Sequence, residues 1–123
     1  MVTNTENPPK KISRKAPTVT SAEEIPDVAD VFENVVGCKW TIHVLTQIRR
    51  GVRRPGELVR TAEGLSAKVL NERLGKLVRF GVLAKTSYPE IPPRVEYDLT
   101  SFGNRIAQIL DEVHKLRREM GQA

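Results

Sequence analysis

The sequence LSAKVLNERLGKLVRFG at residues 65–81 runs directly into VLAKTSYPEIPPRVEYDLT at residues 82–100, and this stretch decides the fold. In the first half, apolar residues recur at the spacing of a helix, whereas in the second half they alternate as in a strand. Gly81 separates the two patterns, and the prolines between Tyr88 and Arg94 cannot donate to a strand ladder. The stretch therefore predicts a helix followed by a two-stranded hairpin, which is the layout of a winged helix.

The composition predicts one small basic domain. The 123 residues carry a formal net charge of +5, with 39% hydrophobic residues and one cysteine. This charge favours an anionic partner such as nucleic acid, although a solvated basic surface gives the same balance. A single cysteine excludes an internal disulfide and fits a reducing compartment. Because no apolar run reaches the roughly 18–20 residues of a membrane span, we expect a cytoplasmic protein without a membrane partner.

Residues 1–26 are predicted to form a disordered basic tail that precedes a single domain at residues 27–121. Prolines at positions 8, 9, 17 and 26 interrupt any helix, and Lys10, Lys11, Arg14 and Lys15 repel one another. Such a tail can track DNA phosphates or can simply be solvated, and the sequence leaves both interpretations open.

Three helices are predicted before the deciding stretch. The first extends from Asp27 to Gly37 and carries a face of valines, with Asp27 in its first turn. The second covers residues 39–50, where Trp40 is expected to anchor the core because an indole buries a large area. A short third helix begins at Pro55 and extends to about residue 62.

The helix predicted at residues 67–80 has the composition of a recognition helix. Its apolar residues face one side, and Ser66 caps its start. The first half exposes donors, acceptors and one apolar side chain, a mixture that can address base edges in a major groove. This exposed set comprises Ser66, Lys68, Val69, Asn71 and Glu72. An ordinary amphipathic helix with a charged outer face is the alternative, and Arg73 at the edge could bind phosphate or an internal acid.

The hairpin predicted at residues 82–87 and 94–99 has a stiff tip. Lys85 and Arg94 are placed near that tip, where they could reach phosphates or a minor groove. A purely structural hairpin is the alternative.

The last helix, capped by Thr100, carries an apolar stripe about three heptads long. A chain of this size has little core left to cover the stripe, so we predict that the terminal helices form a homodimer. Packing within one subunit is the alternative. The predicted dimer residues are Val28, Val31, Phe32, Val35, Phe102, Ile106, Ile109, Val113, Leu116 and Met120.

Four segments together resemble the HxlR-type winged helix-turn-helix regulators. Residues 37–41, GCKWT, resemble the family's GGKWT signature, and residues 53–58, RRPGEL, are similar to RRFSEL. Residues 65–74, LSAKVLNERL, resemble a stretch of the form ISxKxLxxRL. Residues 89–100, PEIPPRVEYDLT, look like the family's wing, PxVPPRVEYxLT, which is the most specific of the four matches.

The resemblance implies a homodimeric transcription regulator that binds double-stranded DNA, with a mainly α fold plus a small hairpin. By position, Ser66, Lys68 and Asn71 would face a major groove and Arg94 the flanking DNA. The full predicted set of DNA-contacting residues is Arg53, Arg54, Ser66, Lys68, Asn71, Arg73, Lys76, Lys85 and Arg94.

The cysteine pattern departs from that family. Many members carry a cysteine before the first helix, and several use it as a thiol sensor, but Asp27 occupies this position here. The lone Cys38 replaces a signature glycine, beside Lys39 and near the start of a predicted helix, which could stabilise a thiolate. Cys38 is therefore a possible redox residue, and a small residue without redox function is the alternative.

No residue pattern in the sequence suggests catalysis or a metal. His43 and His114 have no Cys, Asp or Glu at metal-ligand spacing, and a Ser-His-Asp set cannot be assembled. We therefore expect no enzyme activity, no metal and no cofactor. A winged helix that binds proteins and not DNA is the alternative from another functional class.

Overall fold

The computed structural model describes residues 16–24, 27–37 and 39–122, and these residues form five helices and one antiparallel sheet. Cys38 lies outside the described residues. In chain order the elements are β1 Thr18–Thr20, α1 Val28–Val31 with a π-helical continuation at Phe32–Val36, α2 Thr41–Arg49, α3 Pro55–Arg60, α4 Ala67–Arg79, β2 Leu83–Tyr88, β3 Arg94–Leu99 and α5 Ser101–Glu119.

Side-chain caps begin three of the helices. Ser66 Oγ accepts a hydrogen bond from the Val69 amide at 3.1 Å, and Thr100 Oγ1 accepts one from the Gly103 amide at 2.9 Å. Both predicted caps are confirmed. Asp27 was expected inside the first turn but stands just before α1, where its carboxylate accepts from the Ala29 amide at 2.9 Å. Each cap satisfies an amide that has no partner within its helix.

Helix α2 begins two residues later than predicted because the chain turns at Trp40. This residue has a φ of 74°, a left-handed conformation that is costly for a bulky side chain. The turn is supported by Thr41, which is buried and donates from Oγ1 to the Val35 carbonyl at 3.1 Å. The Trp40 indole is half-buried and packs against the core, so its predicted anchoring role is confirmed.

One hydrophobic core joins the helices to the base of the sheet. Helix α4 contributes Leu70, Leu74 and Leu77, each no more than 1% exposed, from the face that its periodicity predicted. Helix α5 approaches the sheet closely at Gly103, where an added Cβ would lie 2.0 Å from the Val82 carbonyl oxygen. Only glycine fits at this crossing, so it fixes the position of the wing on the helical core.

The sheet contains three strands in the order β1-β2-β3, one more than the predicted hairpin. The additional strand, Thr18–Thr20, falls within the region predicted to be a disordered tail, and that expectation is wrong for these residues. It pairs antiparallel with β2, with Thr18 opposite Ser87 and Thr20 opposite Lys85. The β-branched sequence TVT suits a strand, and pairing with β2 satisfies backbone groups on that edge.

The predicted dimer stripe divides into a buried part and an exposed part. Val31, Val35 and Ile106 are at most 2% exposed and belong to the core of the subunit, while Phe32 and Phe102 are half-buried against it. These five residues therefore serve packing within one chain, three of them from α1 with its π-helical continuation and two from α5. Large exposed apolar side chains remain at Val28, Ile109, Val113, Leu116 and Met120.

No helix in the described ranges is both long and apolar enough to cross a membrane.

Candidate nucleic-acid interface

The amino-terminal half of α4 presents an exposed polar surface. Lys68 and Asn71 are exposed and, among the residues the structure describes, neither forms a hydrogen bond or an ion pair. Ser66 is also exposed, and its hydroxyl can still donate while it caps the helix. Val69 is half-buried behind them and packs against the core. These three polar groups can therefore meet a binding partner without breaking an internal contact.

Two other predicted residues of α4 are already engaged within the domain. Arg73 is half-buried and donates from Nε to the Lys39 carbonyl at 3.1 Å, so its partner within the domain is a backbone oxygen and not the predicted acid. Lys76 is half-buried and also interacts within the chain. Both lie toward the carboxyl half of the helix, away from Ser66.

Arg94 lies at the tip of the wing inside a network of acids. Its guanidinium nitrogens lie 2.9 Å from Glu90 and 3.4 Å from Glu96, and the group stacks 3.8 Å above the Tyr88 ring. Strand pairing places Tyr88 opposite Arg94, so ring and cation share one face of the hairpin. The Arg94 Nε is buried, and no described residue accepts its proton. The wing arginine is thus held in place by its own strands.

Lys85 lies in the middle of β2 and not near the tip. It pairs with Tyr97, and side chains opposite each other share a face, so it projects on the side where Tyr97 is buried. Burial raises the pKa of the Tyr97 phenol above its ordinary value of 10.0. The predicted role of Lys85 at the tip does not match this position.

An open cleft of about 420 Å³ separates the start of α3 from the wing. Three arginines line it, Arg54, Arg60 and Arg94, together with Glu57. Arg60 is exposed and was not among the predicted DNA contacts. It lies one helical turn after Gly56 on α3, the helix that borders the cleft. Arg54 is exposed and makes no ion pair within the described chain. The cleft is suited to an anion.

Arg53 beside the cleft is engaged with the wing. Its Nε lies 2.7 Å from Asp98 Oδ1, and its carbonyl accepts a hydrogen bond from the Tyr97 amide at 2.9 Å. The residue therefore joins the segment before α3 to the outer edge of β3, in addition to any role toward a partner.

The two histidine-related findings of this region concern metal binding alone, because Cys38 lies outside the described residues. His43 is hydrogen-bonded to the Thr61 hydroxyl at 2.8 Å, and within the described ranges no group of three His, Cys, Asp or Glu residues could hold a metal ion.

Helices α3 and α4 followed by the β2–β3 wing define a winged helix-turn-helix protein. A family model described as HxlR-like helix-turn-helix matches residues 35–123, and the chain belongs to this family. The resemblance seen in the sequence is thereby confirmed.

Named relatives agree with this family. The chain is 44% identical over 92 residues to the uncharacterised HTH-type transcriptional regulator sll1512 of Synechocystis, covering 75% of this chain and 65% of that protein. It is 35% identical over 77 residues to the uncharacterised HTH-type transcriptional regulator YtcD of Bacillus subtilis, covering 63% and 61% respectively. The chain therefore spans less than two thirds of the length of both relatives.

Solved structures of similar proteins share the fold. A putative HTH-type transcriptional regulator, ytcD, superimposes with a TM-score of 0.69 at 29% identity, over 76% of this chain and 96% of that one. The redox regulator HypR in its oxidised form gives a TM-score of 0.65 at 25% identity, over 74% and 94%.

Proposed function

We propose that this protein is a transcriptional regulator that binds double-stranded DNA in a sequence-specific manner. The observation that carries the proposal is the pair Lys68 and Asn71, exposed and uncommitted on the first turns of α4. In a winged helix these turns enter the major groove, where lysine can donate to guanine and asparagine can pair with adenine.

The proposed division of labour separates affinity from specificity. Arg54 and Arg60 are exposed cations at the cleft, suited to backbone phosphates, which position a protein without reading sequence. Ser66, Lys68 and Asn71 would choose bases. Binding should therefore weaken steeply with salt, because each phosphate contact releases counterions.

We further propose that the protein acts as a homodimer through the exposed stripe of α5. Ile109, Val113, Leu116 and Met120 recur at spacings of four and three residues and are 41–68% exposed. Such a row matches a second copy of itself in a coiled-coil seam. A dimer predicts a pseudo-palindromic DNA site with half-sites about 10 base pairs, or a multiple, apart.

Light scattering tests the dimer directly. The intact chain at micromolar concentration should show twice the subunit mass of 13.8 kDa, and Val113→Glu should halve that mass by burying a charge in the seam. Gln108→Glu is the matched control, because it adds the same charge to an exposed position outside the apolar row. A monomeric parent chain would contradict the dimer.

A mobility-shift titration against genomic DNA fragments tests the DNA proposal. We expect tight, salt-sensitive binding to a subset of fragments. Absent or salt-insensitive DNA binding would favour the alternative of a winged helix that binds proteins and not DNA.

A thiol switch through Cys38 is a second candidate, favoured by the similarity to the redox regulator HypR. Oxidant should then alter DNA affinity in the parent chain but not in Cys38→Ser. Identical responses of the two proteins would exclude Cys38.

A further inference from the structure

The wing is supported unevenly along its length. It packs on the core at Leu83 and Tyr97, whereas residues 89–93 of its tip are exposed. A two-stranded hairpin that packs against nothing else is only marginally stable in water. β1 pairs with residues 85–87, the part of β2 that lies between these two ends. The pairing therefore adds a third strand where the wing leaves the core.

The backbone of β3 shows which groups of β2 face β1. The Tyr97 amide donates to the Arg53 carbonyl at 2.9 Å, so Tyr97 directs its backbone groups away from β2. Tyr97 stands opposite Lys85, and backbone groups alternate in direction along antiparallel strands. Lys85 therefore directs its amide and carbonyl toward β1, where Thr20 stands opposite it. The Thr20 amide is thus a ladder donor, whereas the Val19 amide points away from β2.

Backbone pairing is what holds β1 on the wing. All three of its residues are exposed, and Val19 is 63% exposed, so β1 buries no core side chain. β1 also precedes the part of the chain that the family model matches, which begins at residue 35. The strand is thus an addition to the winged helix, and losing it leaves the hydrophobic core intact.

The pairing with β1 stops directly beside the side chains that hold the wing cation. Thr18 stands opposite Ser87, and the next residue is Tyr88, which ends β2. Tyr88 stands opposite Arg94, and the Arg94 guanidinium stacks 3.8 Å above its ring. Bending of β2 before Tyr88 would move this stacked pair relative to α4, and a third strand resists such bending.

The chain after β1 leads back to the base of the wing. Because the pairing is antiparallel, β1 runs from the tip side of the wing toward its base. Ser21 and Ala22 follow β1 and line a cleft of about 310 Å³. Gly81 and Thr100 line the same cleft, at the junctions of α4 with β2 and of β3 with α5. The segment from β1 to Ala22 therefore follows the edge of the wing down to the helical core.

We propose that β1 positions the wing for DNA binding by holding β2 at a fixed angle to the helical core. β1 acts through the wing and not through a DNA contact of its own. The inference rests on the proposed DNA-binding function and deepens it, because it adds a structural requirement for the wing contact. A wing that is already held in its binding geometry loses less conformational entropy when it meets DNA.

Two proline variants of the full chain test the pairing of β1. Thr20→Pro removes the ladder amide that faces Lys85, whereas Val19→Pro removes an amide that points away from β2. Each variant places one proline in β1 and leaves the formal charge unchanged, so Val19→Pro is the matched control. Both side chains are exposed, so both variants should fold.

Amide hydrogen exchange of the free protein measures whether β1 stiffens the wing. Thr86 and Glu96 stand opposite each other, and their amides join β2 to β3. In Thr20→Pro these two amides should exchange about two- to tenfold faster than in the parent chain, the equivalent of one lost hydrogen bond. Val19→Pro should keep the exchange rates of the parent chain.

DNA binding measures whether the position of the wing matters. Thr20→Pro should bind a genomic fragment about two- to tenfold more weakly than the parent chain, because the wing must be ordered again on binding. At equal occupancy it should lose protection from hydroxyl radicals at the flanks of the site, where the wing lies. Protection in the half-sites contacted by α4 should remain, and Val19→Pro should retain both.

The outcomes distinguish the inference from the function on which it rests. A parent chain that does not bind DNA overturns the proposed function and the positioning role together. If the parent binds, equal exchange rates in Thr20→Pro and Val19→Pro overturn the stiffening of the wing by β1. Faster exchange with the affinity and flank protection of the parent chain overturns the positioning role alone. Faster exchange with weaker binding and lost flank protection supports the inference.

Discussion

The first turns of α4 and the wing both carry polar groups, but a cation on the helix and a cation on the wing differ in whether they are already paired. Lys68 on the helix is exposed and has no ionic partner in the described chain. Arg94 on the wing is stacked on Tyr88 and paired with Glu90 and Glu96. Lys68 can therefore bind DNA directly, whereas Arg94 must leave its carboxylate partners Glu90 and Glu96 before it can bind a phosphate.

This difference shows that the position of a cation in a sequence motif does not determine whether the cation is free to bind DNA. Arg94 and Glu96 are two residues apart on β3 and therefore share a face, which makes their pairing a consequence of strand geometry. On α4 the residues one turn from Lys68 include Glu72, yet no ion pair forms between them. Acids on the wing should consequently limit non-specific DNA binding, and substitutions in the two regions should act in opposite directions.

The largest effect is expected from removing the uncommitted helix residues. Lys68→Ala or Asn71→Ala should each weaken specific binding by about 1–3 kcal/mol, with little loss on unrelated DNA, because a base contact is lost. Gln108→Ala on α5 is the control for an exposed polar truncation. If a titration showed that affinity falls equally for specific and unrelated DNA, these residues would contact phosphates and not bases. The proposed contrast between α4 and the wing would then be wrong.

Neutralising the wing acids should strengthen binding. Glu90→Gln with Glu96→Gln frees Arg94 and removes two charges near the phosphates, so affinity for unrelated DNA should rise several-fold at low salt. The slope of log affinity against log salt should steepen by about 1 for the released arginine. Glu112→Gln breaks the Glu112–Lys115 pair on α5 and serves as the control. Unchanged affinity would mean that DNA never reaches Arg94.

The Arg53–Asp98 pair should affect stability slightly. Both side chains are about half exposed, and such pairs contribute about 0.2–1 kcal/mol. Asp98→Asn should lower the free energy of unfolding in urea by that amount. A loss several times larger would show that the pair holds the wing against α3.

The smallest effect concerns alkaline pH. Burial raises the pKa of Tyr97 in the folded protein above 10.0, so its stabilising contribution is present below pH 10 and is lost as the pH rises through the higher folded pKa. Tyr97→Phe should therefore lose less free energy of unfolding above pH 10 than the parent chain does. Parallel stability curves above pH 10 would contradict this assignment.

Periodicity and capping chemistry predicted most of the fold. The buried face of α4, the caps at Ser66 and Thr100 and the β3 strand all depend on local residue spacing, which the sequence carries directly. The left-handed Trp40 and the β1 strand could not be predicted in this way, because each depends on contacts distant in sequence.

The site was predictable only as a list of candidates. Lys68 and Asn71 remain candidates for DNA contact because they are exposed, whereas Arg73 is bonded to the Lys39 carbonyl, a partner 34 residues away that helix periodicity cannot reveal. Likewise, three of the ten predicted dimer residues are buried and two are half-buried within the subunit, because the apolar spacing of a helix does not show which of its turns face the core of its own chain.

Selection of bound sequences from a random DNA pool tests the central claim most directly. The parent chain should enrich a pseudo-palindromic sequence, and Asn71→Ala should relax the preference at one position in each half-site while the rest of the site is retained. An unenriched pool, or an identical motif for the parent chain and Asn71→Ala, would contradict base reading by α4.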